Sequence, residues 1–357
     1  MQEQNYNVVG VMSGTSLDGV DLAHTRLANS GSRWRYQLLG CETVAYGDLW
    51  VDQLRSAVTF SPNQLHQLNK EYTKLLGGII RNFIDRHKIA NLDAVCSHGH
   101  TILHRPADGI TLQIGNLPEI ADYTQQQVVC DFRVQDVLMG GQGAPLVPIG
   151  DRLLFAEYRY CLNLGGFSNI SYESEGDRLA FDISPVNTVL NHYARLMGFD
   201  YDDHGMLARS GILNQRLLDE LNSLDFYSRK PPKSLGFEFV REIVLPLINR
   251  HNLPHQDVLR TFCEHVALQI SLGLPERKGR MLVTGGGAYH DFTISRMRAL
   301  MPEMSIEIPD AKTLEFKEAL IFGLLGVLRL CGEDNVLASV TGATADHSSG
   351  KIFNPAI

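Results

Sequence analysis

The chain has 357 residues, which is more than one hydrophobic core usually serves, so its length predicts two domains. With 44% hydrophobic and 20% charged residues, the composition is typical of a soluble globular protein. The net charge of -8 argues against a nucleic-acid partner, because contacts with phosphates need a basic face.

The sequence indicates neither a secretory signal nor a membrane span. The N-terminal MQEQNYNVVG lacks the charged and apolar regions of a signal peptide. The apolar stretch ALIFGLLGVL is well short of the ~20 residues that cross a bilayer. The six cysteines form no CxxC pair, which is typical of reduced thiols. We therefore expect a cytoplasmic protein with no membrane partner.

The chain opens with a predicted hairpin. A strand near residues 8–11 leads into a Gly/Ser/Thr-rich turn through Gly14 and Gly19, and then into a return strand at 20–27. The segment CLNLGGFSNISY at 161–172 repeats this layout. Exposed backbone N–H groups at such turns can hold phosphates, so two facing turns predict a nucleotide bound in a cleft between duplicated lobes.

Strands and helices alternate after each hairpin, in the same order. In the first half we predict a strand at 34–44, a helix opened by Ser61-Pro62 with an apolar stripe to residue 83, and a strand at 94–97. In the second half we predict strands at 161–164, 170–173, 179–183 and 280–283 and helices from Pro185 and at 292–300. A late helix at 317–330 is apolar almost all round, which indicates burial.

This pattern predicts an α/β architecture of two related lobes. We expect the first lobe to comprise residues 1–137, joined by the C-terminal segment 335–357. The second lobe is then residues 138–334.

The first turn has the residue types of a phosphate-binding loop. Gly14 and Gly19 let the backbone approach phosphate oxygens, and Asp18 could hold Mg²⁺ directly or through water. A tight hairpin with solvated polar residues is the alternative. Gly165 and Gly166 are the counterpart in the second half.

Three consecutive glycines, 285–287, follow the strand at 280–283. Such a run would let an adenosine group lie against the backbone. Close packing of the strand against the next helix is an equally simple explanation.

Asp182 is the candidate general base. It stands near the C-terminal end of a predicted strand, where open α/β sheets bind their ligands. A carboxylate there can polarise a hydroxyl or a water. The alternative is that Asp182 only caps the following helix.

A dense group of polar residues lies between the two repeats, in SHGHT at 97–101, DFRVQD at 131–136 and GGQGAP at 140–145. Short donors and acceptors suit the hydroxyls and amide of a sugar. The HxH spacing resembles a metal site, but no second cluster completes one. Asp131 and Arg133 could simply pair with each other.

The chain resembles the anhydro-N-acetylmuramic acid kinases of the sugar kinase/Hsp70/actin superfamily in an ordered set of segments: GVMSGTSLDGVD at 10–21, SHGHT, TLQIG, DFRVQD, GGQGAP, YDDHG, PPKS, LVTGGGA, KEAL and VTGA. The resemblance covers essentially the whole chain. It implies two RNase H-like lobes around a nucleotide cleft and a homodimer. It also implies ATP-dependent phosphorylation of 1,6-anhydro-N-acetylmuramate at O6, coupled to hydrolytic opening of the anhydro ring, in peptidoglycan recycling.

The resemblance also implies roles for particular residues. Asp182 matches the catalytic aspartate, and the triple glycine Gly285, Gly286 and Gly287 matches the adenosine contact. Positions near the sugar are matched by Ser97, His98, Gly99, Thr101 and Glu318. The ATP phosphate loop is matched by Gly14, Thr15, Ser16, Leu17, Asp18, Gly19, Val20 and Asp21.

The chain departs from the family pattern at three places. FDISPVN replaces FDTGPGN beside Asp182, His100 replaces a glutamine, and Tyr289-His290 replaces histidine-asparagine. Loss of two glycines predicts a stiffer, tighter turn near the phosphate or the sugar. Two alternatives therefore stay open: an amino-sugar kinase without ring opening, and a nucleotide-binding protein that has lost catalysis.

Overall fold

The computed structural model describes residues 3–14, 16–31 and 33–356. The strands are β1 Gln4–Ser13, β2 Val20–Asn29, β3 Trp34–Val44, β4 Ala94–Arg105, β5 Ile110–Ile114, β6 Val128–Cys130, β7 Tyr160–Leu164, β8 Phe167–Ser174, β9 Asp177–Pro185, β10 Gly279–Thr284, β11 Met304–Glu307 and β12 Lys351–Phe353. The helices are α1 Asp48–Ser56, α2 Pro62–Arg86, α3 Glu119–Thr124, α4 Val134–Leu138, α5 Pro148–Leu154, α6 Asn187–Leu196, α7 Met206–Ser210, α8 Gln215–Asn222, α9 Asp225–Ser228, α10 Phe237–Phe239, α11 Leu245–Asn249, α12 His255–Leu272, α13 Asp291–Leu300, α14 Ala311–Cys331 and α15 Ala338–Thr341. Short 3₁₀ turns lie at Ala57–Thr59, Pro106–Asp108, Asp203–Gly205 and Gly286–Tyr289, and a π turn at Val240–Val244.

The chain forms two compact units. One comprises Met1–Leu154 and Phe316–Ile357, and the other Phe155–Glu315. The division into lobes after residues 137 and 334 stays a prediction. The compact units divide elsewhere because α5 and most of α14 pack within the first unit. For example, a Cβ at Gly150 would lie 2.5 Å from the Ile321 side chain.

The first unit contains a seven-stranded sheet. Its order is β12-β6-β4-β1-β2-β3, with β5 paired to the distal half of β4. β1, β2 and β3 are successive antiparallel neighbours, whereas β4 runs parallel to β1 and β6 runs parallel to β4. Both faces of β2 are covered in its middle, since Leu22 packs in the core with α2 and the adjacent Ala23 packs against Phe316 and Ala319.

The second unit contains a five-stranded sheet with the same order and directions. β7, β8 and β9 are antiparallel neighbours, and β10 and β11 continue from β7 in parallel. With the added strands β5 and β12 of the first sheet set aside, both sheets therefore have the RNase H-like order 3-2-1-4-5. The predicted α/β fold of two related, RNase H-like units is confirmed.

Helix α2 covers the first sheet. Gln64 accepts a hydrogen bond from the Ser61 backbone N–H at 2.9 Å, which closes the predicted helix start. Its predicted apolar stripe lies inward, and Tyr72, Leu76 and Ile80 join the core with residues of β1 and β2. The predicted strand at 94–97 is longer than expected, since β4 continues to Arg105 as the partner of β5.

Helix α14 packs against the middle of β1. The predicted helix at 317–330 begins earlier, at Ala311, and its residues 319–328 are buried, as expected from its composition. Gly10 has no side chain, and a Cβ there would lie 1.8 Å from the Ala319 carbonyl oxygen. This glycine therefore allows the helix backbone to touch the sheet. None of the helices in the described residues is long and apolar enough to cross a membrane.

We expect Gly10→Ala to lower the free energy of unfolding by about 3 kcal/mol or more, because the added methyl group overlaps the backbone of α14. Urea unfolding followed by circular dichroism would measure this. Gly78→Ala is the matched control: a Cβ at this exposed position of α2 contacts nothing within 4 Å, so the variant should be neutral or stabilising. Equal stability of Gly10→Ala and the unmodified chain would contradict the close approach.

Candidate active site

The turn between β1 and β2 contains the predicted phosphate loop. The Leu17 backbone, at φ 63°, is left-handed, and its N–H donates to Gly14 O at 3.4 Å. Asp18 is exposed, and its Oδ1 accepts from Ser16 Oγ at 2.8 Å. Thr15 lies outside the described residues. The turn is therefore compact and presents one carboxylate to solvent.

Buried hydroxyls hold the start of this turn. Ser13 Oγ lies 2.6 Å from the Tyr46 hydroxyl and 2.7 Å from His100 Nδ1. The Tyr46 hydroxyl lies 2.5 Å from that of Tyr72 on α2. His100, the residue that replaces the family's glutamine, therefore connects β4 to the last residue of β1. Burial lowers the pKa of His100 to about 4, so the imidazole is neutral at pH 7.

The first turn fits the needs of Mg²⁺. This ion usually takes one or two carboxylates and fills its other positions with water and phosphate oxygens. Asp18 offers an exposed carboxylate, and Asp21, after the turn, accepts from Thr43 Oγ1 at 2.6 Å. In the described part of the chain, no group of three or more His, Cys, Asp and Glu side chains could hold a metal.

The predicted sugar segment divides into inward and outward residues. Ser97 is buried, and its Oγ accepts from the Gly99 N–H at 3.2 Å. His98 is also buried and packs on Phe322 with ring centroids 4.8 Å apart. Thr101 is partly exposed and accepts from Gln113. Ser97 and His98 therefore pack in the interior of the first unit, and their role near the sugar stays a prediction.

Arg133 contacts the predicted sugar residue His98; the sequence places it in the polar segment DFRVQD but assigns this side chain no role of its own. Its Nε donates to His98 Nε2 at 2.8 Å, and its Nη1 donates to Gly143 O at 2.5 Å. Burial lowers the pKa of Arg133 to about 10, and Glu318 is the first of the charges that oppose this change. The open alternative, that Asp131 simply pairs with Arg133, is not what the structure shows, since Asp131 binds Lys351 at 2.7 Å. The arginine in the DFR motif is the sequence feature that could have indicated Arg133.

Glu318 lies close enough to Arg133 for the two charges to interact. Desolvation raises the pKa of Glu318, whereas Arg133 and Lys317 lower it and Asp21 raises it. The Glu318 side chain nevertheless reaches solvent. Of the predicted residues, Asp21 is therefore near enough to Glu318 for its charge to act on that carboxyl, as is the charge of Arg133.

The GGQGAP and VTGA segments meet at a buried carboxylate. Asp136 Oδ2 accepts from the Gly143 N–H at 2.6 Å, and its Oδ1 accepts from Thr341 Oγ1 at 2.7 Å. The Gln142 N–H also donates to Thr341 O at 2.8 Å. These two motifs therefore hold the loop that accepts from Arg133.

The turn between β7 and β8 lies against the start of α6. Gly166 O accepts from the N–H groups of Val186 and Thr188 at 2.8 and 3.2 Å. Gly165 O accepts from the Asn187 N–H at 3.2 Å, and the Gly165 N–H donates to Phe167 O at 3.1 Å. The Gly165 N–H is thus engaged within its own hairpin.

The triple glycine packs against the end of β7. A Cβ at Gly285, where φ is 82°, would lie 2.5 Å from Asn163 Oδ1, and one at Gly287 would lie 2.8 Å from Leu164 O. Gly286 is exposed, and the nearest atom to a Cβ there is Asn187 Nδ2 at 3.9 Å. Close packing explains the outer two glycines, and Gly286 alone leaves an open approach to the backbone.

Asp182 is half-buried on β9 and does not cap α6. Its Oδ2 accepts from the Leu235 N–H at 2.8 Å, and its own N–H donates to Lys233 O at 3.0 Å. The cap position of α6 is Val186, which makes no side-chain cap hydrogen bond. Burial raises the pKa of Asp182, and the Leu235 N–H opposes this increase. A carboxyl with a raised pKa is a stronger base than a free aspartate.

The substituted residues beside Asp182 lie in the interior of the unit. Ser168 pairs with Ser184, whereas Asn169 pairs with Asp182, so Ile183 is the extra residue of a β-bulge. Ile183 joins the hydrophobic core, and Ser184 is buried with its Oγ 3.0 Å from Ser168 Oγ. The side chains of Ile183 and Ser184 are therefore accommodated by packing and hydrogen bonding.

The third departure forms a buried ion pair. His290 Nε2 lies 3.3 Å from Asp202 Oδ2, and His290 Nδ1 accepts from the Thr293 N–H at 3.2 Å. Burial favours the neutral imidazole, but its contacts with Cys263 and Asp202 raise the pKa of His290. Tyr289 donates its hydroxyl to Glu315 at 2.6 Å. His290 therefore fixes the YDDHG segment against α13.

His100 predicts how stability depends on pH. An unfolded histidine titrates near 6.5, whereas the pKa of His100 in the fold is about 4, so the unfolded chain is protonated first as the pH falls. The stabilisation is present above about pH 6.5 and is lost as the pH falls through 4. Between pH 7 and pH 4, we expect the free energy of unfolding of His100→Gln to fall by about 3 kcal/mol less than that of the unmodified chain.

Urea unfolding at pH 7, 5.5 and 4 would measure this difference. His66→Gln, at an exposed position of α2, is the control and should keep the pH dependence of the unmodified chain. Identical curves for His100→Gln and the unmodified chain would contradict a buried neutral imidazole.

Two solved structures of other proteins resemble the fold only distantly. One is component A of (R)-2-hydroxyglutaryl-CoA dehydratase from Acidaminococcus fermentans, at 11% identity and a TM-score of 0.45 over 91% of this chain and 99% of that one. The other is the activator of 2-hydroxyisocaproyl-CoA dehydratase from Clostridium difficile with bound ADPNP, at 12% identity and a TM-score of 0.43 over 90% and 94% of the two chains.

Comparison of sequences gives full-length matches. A relative in Shewanella sp. (strain ANA-3), named anhydro-N-acetylmuramic acid kinase, is 33% identical over 97% of this chain and 98% of its own. A relative of the same name in Xanthomonas oryzae pv. oryzae is 34% identical over 97% and 96% of the two chains. The family profile described as anhydro-N-acetylmuramic acid kinase matches residues 6–355. The chain therefore belongs to the anhydro-N-acetylmuramic acid kinase family.

Proposed function

We propose that this protein phosphorylates 1,6-anhydro-N-acetylmuramate at O6 with ATP and opens the anhydro ring with water. The products are N-acetylmuramate 6-phosphate and ADP, in the recycling of peptidoglycan. The observation that carries the proposal is the family match over residues 6–355. Asp182, half-buried on β9 with a raised pKa, supports the coupled hydrolysis.

In the proposed reaction Asp182 is the general base. A water attacks the anomeric carbon and gives its proton to the Asp182 carboxylate while the bond from that carbon to O6 breaks. O6 keeps the electron pair of this bond and forms a new bond to the γ-phosphorus. The bond from the γ-phosphorus to the ADP oxygen breaks, so ADP leaves with the second electron pair.

Other residues bind and orient the reactants. We assign the phosphates of ATP to the loop at 14–21 and to the second turn, and the adenosine to Gly286, where the backbone is open. Asp18 would hold Mg²⁺, which would neutralise phosphate charge. We assign the sugar to Thr101, Glu318 and the neighbouring Arg133. Such transfer depends chiefly on positioning and charge neutralisation, which these side chains supply.

The structure gives little reason to prefer a kinase without ring opening. That alternative was suggested by the altered turn, but Ile183 and Ser184 lie in the interior of the unit. A silent nucleotide-binding protein would have no need of Asp18 and Asp182, and both are present. We further propose a cytoplasmic homodimer without a nucleic-acid partner, on the family resemblance and the net charge of -8.

Mass spectrometry in ¹⁸O-water tests the reaction. Protein, Mg-ATP and 1,6-anhydro-N-acetylmuramate should give N-acetylmuramate 6-phosphate that carries one ¹⁸O atom, because the water oxygen bonds to the anomeric carbon. The label must be measured at short reaction times, since the free anomeric hydroxyl exchanges slowly with water. Unlabelled product incubated in labelled water measures this exchange, so that it can be subtracted. An unchanged anhydro sugar, together with label-free phosphorylation of an ordinary amino sugar, would support the alternative kinase.

We expect Asp182→Asn to reduce turnover by at least about a thousandfold, because the amide cannot accept the proton of the attacking water. Binding of ATP, measured by calorimetry, should be unchanged. Asp177→Asn, at the exposed start of the same strand, is the matched control and should keep full activity. Full activity of the Asp182→Asn variant would remove Asp182 from the mechanism.

A further inference from the structure

We propose that the segment 233–235 is a positioning element for Asp182, in which the Leu235 N–H orients the carboxylate for catalysis. The inference rests on the proposed function for its catalytic consequence. Its structural part rests on two hydrogen bonds and on the place of β9 in the sheet.

The segment closes the open edge of the second sheet at Asp182. β9 is the outermost strand and has β8 on one side only. Asp182 pairs with Asn169 across that side, and its N–H points to the other, where it donates to Lys233 O at 3.0 Å. The segment therefore continues the sheet by one hydrogen bond, at the residue assigned as the base.

The second bond acts on the carboxylate itself. The Leu235 N–H donates to Asp182 Oδ2 at 2.8 Å, and Oδ1 has no hydrogen-bond partner among the described residues. Since both bonds reach one residue, the backbone and the side chain of Asp182 are fixed against the same segment. This arrangement holds one oxygen and leaves the other to accept a proton.

Lys233 anchors the segment to the body of the unit. Its Nζ lies 4.7 Å from the centre of the Phe226 ring and donates to Phe226 O at 3.4 Å. Phe226 is a buried residue of α9. The Lys233 side chain of PPKS therefore binds Phe226, and the N–H of Leu235, the residue after the motif, holds the Asp182 carboxylate.

Amide hydrogen exchange tests the contact without any need for activity. In Asp182→Ala the acceptor is lost, so exchange at Leu235 should become at least about tenfold faster than in the unmodified chain. In Asp182→Asn the side-chain oxygen remains and can keep the hydrogen bond. The exchange rate at Leu235 should therefore change by less than about threefold. Equal protection in the alanine variant would overturn the proposal.

A backbone substitution tests the catalytic consequence. Leu235→Pro removes the N–H, so the pKa of Asp182 should rise and the acid limb of the kcat/KM profile should move up by about one pH unit. Leu235→Ala keeps the N–H and should keep the acid limb in place. Thermal unfolding of both variants shows whether the proline variant is folded.

The two experiments separate the positioning role from the proposed function. If the unmodified chain shows no activity on the anhydro sugar, the proposed function fails while the exchange result still decides the contact. If the chain is active and the folded Leu235→Pro variant keeps the acid limb unmoved, the positioning role is wrong. If the proline variant does not fold, the exchange experiment still decides: unchanged exchange of the Leu235 amide in Asp182→Ala would reject the proposal.

Discussion

The close approach of α14 to β1 is the constraint on which the first unit depends. Because Gly10 brings the backbone of the sheet against Ala319, the helix can take only one depth and one rotation. Lys317 is then held in a buried ion pair with Asp151 at 2.7 Å, and Phe322 lies under the His98 ring. Glu318, the residue between the ion pair and the contact, is consequently fixed on the helix within reach of the Arg133 charge.

Buried polar contacts determine the protonation states around this helix. His98 Nε2 accepts from Arg133 Nε, so this nitrogen carries no proton, and the remaining proton is directed to Gly99 O. Burial and the Arg133 charge lower the pKa of His98 and keep the ring neutral. The guanidinium is thus oriented by a neutral acceptor, and its charge remains available to Glu318 or to an anionic ligand.

Local patterns predicted the elements, but not the contacts between distant segments. The hairpin glycines, the helix start at Ser61 and the apolar face of α2 follow from short-range chemistry, and the structure contains all of them. The inward direction of Ile183 does not follow from short-range chemistry, because a β-bulge changes which residues of β9 lie inward. The pairing of Asp131 with Lys351 joins residues far apart in the chain, and adjacency in the sequence favoured Arg133 instead.

Asp182 shows how one fold sets the strength of a base through two opposed effects. Burial disfavours the charged carboxylate and raises the pKa, which increases the affinity for the proton of an attacking water. Burial alone would also favour the protonated, inactive form and would not decide which carboxylate oxygen is held and which is left to accept the proton. The Leu235 N–H limits both consequences, since it stabilises the anion and fixes one oxygen at 2.8 Å. In this chain the segment 233–235, which runs from the lysine of PPKS to the following Leu235, holds the base on its edge strand.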